Sequence, residues 1–83
     1  MKFKLFDSVV LAKDLAEEDL RAGTPGVVVD LLGPEAVIIE FFDPATDETV
    51  AVIDLDVSDL RTPTPDEVKA REATRARNNA AAR

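Results

Sequence analysis

Thr24-Pro25-Gly26-Val27-Val28-Val29-Asp30-Leu31-Leu32-Gly33-Pro34-Glu35-Ala36-Val37-Ile38-Ile39-Glu40-Phe41-Phe42 is the stretch on which the fold turns. Two runs of β-branched and aliphatic residues are divided by Gly33-Pro34, which leaves room only for a tight reversal. They read as antiparallel neighbours, strands Thr24–Leu32 and Glu35–Phe42. Downstream, Asp43-Pro44-Ala45-Thr46-Asp47 reverses the chain again into a strand over Thr49–Leu55, completing a three-strand meander. Upstream, Ser8–Lys13 supplies one more strand. The acid-rich excursion Asp14–Gly23 follows it, an ordered loop or short helical turn with Leu15 and Leu20 as inward anchors. Past the fourth strand, Val57-Ser58-Asp59-Leu60 reads as one turn of helix and Arg61-Thr62 as a brief fifth strand. A long first loop, a central meander, one helical turn and a short last strand predict an all-β, SH3-like small barrel.

The chain has 83 residues, enough for a single domain, and 46% of them are hydrophobic, which supplies a core. Four phenylalanines are the only aromatics, so that core is aliphatic. With neither Cys nor His, disulfides, thiol or imidazole chemistry and the usual zinc sites are excluded, and no cofactor is expected. Residues 1–62 hold five bases against fourteen acids, a net −9, whereas residues 63–83 hold five against three, a net +2. An acidic body repels nucleic acid and anionic membranes, so neither is expected as a partner. Asp7 interrupts any signal-like start, and the apolar runs are far too short to cross a bilayer, which predicts a soluble, cytoplasmic chain.

Body and tail meet at Thr62-Pro63-Thr64-Pro65, where two prolines rule out a continuing central strand. Thr64-Pro65-Asp66-Glu67 then carries the marks of a helix start, with a threonine cap, proline at the first helical position and glutamate three residues after the cap. Val68 is the one sizeable apolar residue beyond it. The expectation is therefore a solvated helix without a docking stripe, fraying from Asn78-Asn79 onward. Glu67 with Arg71 and Glu72 with Arg75 fall at helical spacing, and these pairs make a nucleic-acid arm a poor reading of the tail.

Lys4-Leu5-Phe6-Asp7-x-Val9-Val10-Leu11, Asp14-Leu15, Ala22-Gly23-x-x-Gly26-x-Val28-Val29, Glu40-Phe41-x-Asp43 and Asp59-Leu60-Arg61 resemble the bacterial family DUF4926, over about residues 1–62. The resemblance implies a small SH3-like barrel without an assigned activity. The resemblance also brings small toxin-like or uncharacterised gene neighbours for some members, which hints at an antitoxin or immunity role. Where family members commonly carry glycine in the third hairpin, this chain has Asp47-Glu48.

Strand alternation carries the functional signal. If Val27, Val29, Leu31, Val37, Ile39, Phe41, Ala51, Ile53 and Leu55 point inward, the opposite face reads Val28-Asp30-Leu32, Ile38-Glu40-Phe42 and Val50-Val52-Asp54. A sheet face left to water should be polar. This one is apolar with acids set into it, so it calls for a cover: a second copy, a different protein or the chain's own tail. The expected contact surface is Val28, Asp30, Leu32, Ile38, Glu40, Phe42 and Val52, with Glu17, Glu18 and Asp19 steering a basic protein partner, one encoded nearby or a homodimer mate.

Other motifs carry less. Gly23-Thr24-Pro25-Gly26 suits a type II turn with Gly26 at positive φ. An aromatic cage around a cation needs two or more converging rings, only Phe3, Phe6, Phe41 and Phe42 are available, and core packing is the expected role of at least two. The acid clusters Glu17-Glu18-Asp19 and Asp43 with Asp47-Glu48 do not have the spacing of a calcium loop, and they read as solvated loops. Nothing in the sequence assembles a catalytic group, and the chain reads as a non-enzyme.

Overall fold

The computed structural model describes residues 2–81. Five strands, β1 (Ser8–Leu11), β2 (Pro25–Leu31), β3 (Ala36–Phe42), β4 (Thr49–Asp56) and β5 (Leu60–Arg61), pair antiparallel in the spatial order β4-β3-β2-β1-β5. The sheet curls into a half-barrel, and one helix, α1 (Pro65–Ala81), follows it. Single 3₁₀ turns occupy Ala16–Glu18 and Val57–Asp59, in the long excursion and after the fourth strand as expected. The fold is thus mostly β, wired as the hydrophobic runs predict.

Its concave side is the core. Phe41, Leu11, Ile39, Val9, Val28 and Val37 are fully buried there, with Phe3, Leu20 and Leu60 close to it. Burial of a side chain of this size contributes about 1.5–3 kcal/mol before chain entropy is charged against it. Leu20 is buried and Leu15 packs on the same cluster, each bonded to the other through the backbone, so the acid-rich excursion is pinned by the two leucines expected to do so.

Two expectations about β2 require correction. Val28, expected outside, lies in the core opposite Ile39, because β2 begins with the opposite parity: Gly26 and Val28 face in, Val27 faces out. A bulge between Val28 and Asp30 then shifts the register, so that Asp30 pairs with Ile38 and returns to the outer face. An alternation count through a bulge is wrong on one side of it.

Gly26 is not a turn residue. Positive φ belongs to Gly23 (96°), in the reversal closed by Thr24 N–H donating to the Arg21 carbonyl. Gly26 sits within β2 because β3 comes too near for a side chain: a methyl there would lie 2.6 Å from Ile39 Cγ2.

The tail corrects a larger expectation. Thr64 and Glu67 form the predicted capping box, with Glu67 N–H donating to Thr64 Oγ1 (3.2 Å) and Thr64 N–H to Glu67 Oε1 (2.9 Å). Yet α1 is not free in solvent: it runs to Ala81 and lies on the outer face of the sheet. It docks through polar and cationic groups. Arg71 stacks on Phe42 with its guanidinium carbon 4.2 Å from the ring centre, Thr74 donates to the Pro44 carbonyl, and Asn78 to that of Thr46. The charge pairs also differ: Arg61 takes Glu67, and Asp47 takes both Arg71 and Arg75, in place of the Glu67–Arg71 and Glu72–Arg75 pairs.

Candidate interaction surface

Residues directly opposite one another in an antiparallel sheet share a face, so the register lays out the outer face row by row. One row holds Arg61, Val10 and Pro25; the next Ser8, Val27, Glu40 and Val52; the third Asp30, Ile38 and Asp54. Helix α1 covers the first. Val10 points away from the core and is still only 2% exposed, since Pro63, Val68 and Arg71 close over it and over Pro25. The helix therefore takes up part of the apolar excess predicted from the sequence.

The start of the helix and its middle are held differently. At its start, both oxygens of Glu67 accept from Arg61 (2.7 and 2.8 Å) and one also accepts from Thr64 N–H, which pulls the carboxyl from its ordinary 4.5 down to about 2. One turn on, Asp47 Oδ1 lies 3.2 Å from Arg71 and Oδ2 3.6 Å from Arg75. Burial lowers the pKa of Arg71, against the pull of Asp47, and its Nη2 is buried without a hydrogen-bond partner. A buried donor left unpaired opposes docking. The anchor over Phe42 is consequently a balance of stacking and charge against desolvation.

Beyond the helix the outer face is open. Val52 is 56% and Leu32 51% exposed; Ile38 is half-buried, and Asp30 and Asp54 flank it in its own row. Glu40, next in line, accepts from the Thr49 hydroxyl. Of the residues expected to form the contact surface, Asp30, Ile38, Glu40 and Val52 stand in adjacent rows and Leu32 just past the end of β2. Phe42 belongs instead to the seat of Arg71, and Val28 to the core.

Glu17, Glu18 and Asp19 border two hollows, with Glu18 on both. Glu17 and Glu18 line a groove of about 380 Å³ between the excursion and the Ile53–Leu55 segment of β4. Glu18 and Asp19 also border a wider cleft of about 620 Å³ that reaches Phe42, Asp43 and Val50. Asp43 is committed there to its own turn, accepting from Ala45 and Thr46 N–H, while Glu18 and Asp19 are exposed. Among the described residues, no group of three or more potential metal ligands converges, and no helix is long and apolar enough to cross a membrane.

Phe6 escaped the sequence reading. It is 76% exposed with φ at 70°, and it closes a reversal in which Asp7 N–H donates to the Lys4 carbonyl. Val28 faces both residues, its carbonyl accepting from Phe6 N–H and its N–H donating to Asp7, so Phe6 fills the left-handed position of a bulge that ordinarily favours glycine. An aromatic ring there is strained locally and contributes nothing to the core. The available signal was small: a reversal needing positive φ, but no Gly, Asn or Asp at its third position.

Residues 5–62 match the family profile described as Domain of unknown function (DUF4926). No curated protein and no solved structure matches the chain.

Proposed function

The chain belongs to the DUF4926 family, whose function is unknown, and from that premise we propose that it is a non-enzymatic protein-binding module of SH3-like design, of antitoxin or immunity type, whose acidic outer face masks a basic protein. One observation carries the reading: a docked helix covers the row of Val10 and Pro25 on the outer face, and the open rows present Ile38, Val52 and Leu32 set among Asp30, Glu40 and Asp54. Apolar side chains gain by being covered, and carboxylates around them favour a cover bearing lysine or arginine. The net −9 of residues 1–62 speeds the encounter with such a partner and slows that with an acidic one.

Self-association is the second reading, since the same apolar side chains would suit an identical face. It brings Asp30, Glu40 and Asp54 of one copy against those of another, which like-charge repulsion opposes. Affinity purification from the native host separates the two. A basic protein retained by the chain and released by the pair Asp30→Lys and Val52→Lys supports the proposal, provided the variant keeps its circular dichroism. A preparation that light scattering shows to be twice 9.0 kDa, with no second protein, favours self-association.

A further inference from the structure

We infer that the free edge of β4, together with the acidic groove beside it, is the docking strand for an extended, lysine- or arginine-bearing segment of a protein partner. The inference rests on the reading of a basic partner but concerns an edge and not a face. β4 ends the sheet, with β3 on one side and, among the described residues, no strand paired on the other. Leu32 N–H donates to the Ala36 carbonyl and Val57 N–H to that of Glu35, so even-numbered residues of β3 address β2 and odd-numbered ones address β4. By the alternation of antiparallel pairing, the backbone N–H and C=O groups of Val52 and Asp54 are then turned away from β3. Among the described residues, no backbone or side-chain group bonds to them. A row of unpaired donors and acceptors is a template for another strand.

The surroundings say which strand. Between this edge and the 3₁₀ turn runs the 380 Å³ groove, with half-buried Ile53 and Leu55 along one wall and Asp14, Glu17 and Glu18 along the other. Lys13, the one base there, is paired with Asp59 at 3.0 Å. An added strand lying in the groove would continue the curl of the half-barrel, place alternate side chains over Ile53 and Leu55, and bring basic ones to the acids. A second copy of β4 fits poorly, since it sets Asp54 and Asp56 against their own kind across the new pair. The same aspartates thus protect the edge from itself and leave it open to a cationic strand.

A capped decapeptide of alternating lysine and valine is the probe, with two backbone-methylated forms carrying N-methyl groups on alternate residues in opposite phases. Amide exchange of the full chain, read residue by residue by NMR, should slow by about tenfold at Val52 and Asp54 when the peptide binds, and one methylated form should lose about tenfold in affinity while the other does not. Equal binding of both methylated forms, or binding that leaves those two amides unprotected, would overturn the inference. So would an absence of binding at millimolar peptide. Shifts confined to Ile38, Leu32 and Asp30 would overturn the edge proposal while leaving the outer-face reading intact, and protection of Val52 and Asp54 without peptide would assign the edge to a second copy.

Discussion

Asp47 occupies the left-handed region, with φ at 62°, and holds Arg71 of the C-terminal helix at 3.2 Å. The two facts belong together. The turn carries its carbonyl-to-amide closure between Asp43 and Asp47, a geometry in which glycine is at ease and aspartate tolerated. The aspartate gives up some of glycine's ease and supplies a carboxylate that reaches Arg71 and Arg75.

Replacing Asp47 with glycine therefore separates turn from tail. Relief at the turn and loss of a partly exposed ion pair oppose one another, so unfolding stability by urea should change by no more than about 1 kcal/mol. The helical signal at 222 nm should fall, because α1 has Val68 as its one sizeable apolar side chain and is marginal without docking. A helical signal unchanged by the substitution would show that α1 does not depend on this contact.

Acid should loosen the start of the helix. Glu67 titrates at about 2 in the folded chain against 4.5 when free, so its bonds to Arg61 and Thr64 stabilise the folded form fully above about pH 4.5. That contribution fades as pH falls through the window from 4.5 toward 2. Protection factors for amide exchange at Thr64 and Glu67, corrected for the intrinsic rate at each pH, should fall across that window in the wild type, and Glu67→Gln should show the loosened start already at neutral pH.

Gly26 and Gly23 should respond to alanine for different reasons. Gly26→Ala forces a methyl against Ile39 inside the sheet and should cost about 1–3 kcal/mol in urea unfolding. Gly23 has open space around it and only its φ of 96° to defend, so alanine there should cost about 1 kcal/mol. Equal costs at the two positions would contradict the close approach of β2 to β3.

Phe6→Gly is the converse experiment. Glycine relieves the left-handed strain at a ring that is 76% exposed, and the chain should gain up to about 1 kcal/mol in stability. A loss of stability would place the ring in packing that its exposure does not show.

Much of the architecture was legible because it lies in runs of residues. Val37 to Phe41 and Ala51 to Leu55 alternate in burial as expected, and Gly33-Pro34 and Asp43-Pro44 mark reversals that the structure has. The capping box at Thr64 was equally plain. What eluded the reading depends on contacts between distant residues. The bulge at Val29 inverts the face of Val28 without leaving a mark in composition. Docking of α1 uses arginine on phenylalanine and hydroxyl and amide groups on loop carbonyls, none of which forms an apolar stripe. The acids of the 3₁₀ turn were visible as a triplet, but their division between two hollows follows from the curl of the sheet.

Accessibility of individual methyl groups to a soluble nitroxide, measured by NMR at several protein concentrations, bears most directly on the half-covered face. Val52 and Leu32 should broaden strongly, Ile38 less, and Val10 and Val28 scarcely, with the same pattern at every concentration. Protection of Val52 and Leu32, or strong broadening of Val10, would contradict the account: the first would mean the open half is already filled, the second that the helix does not lie where it is described.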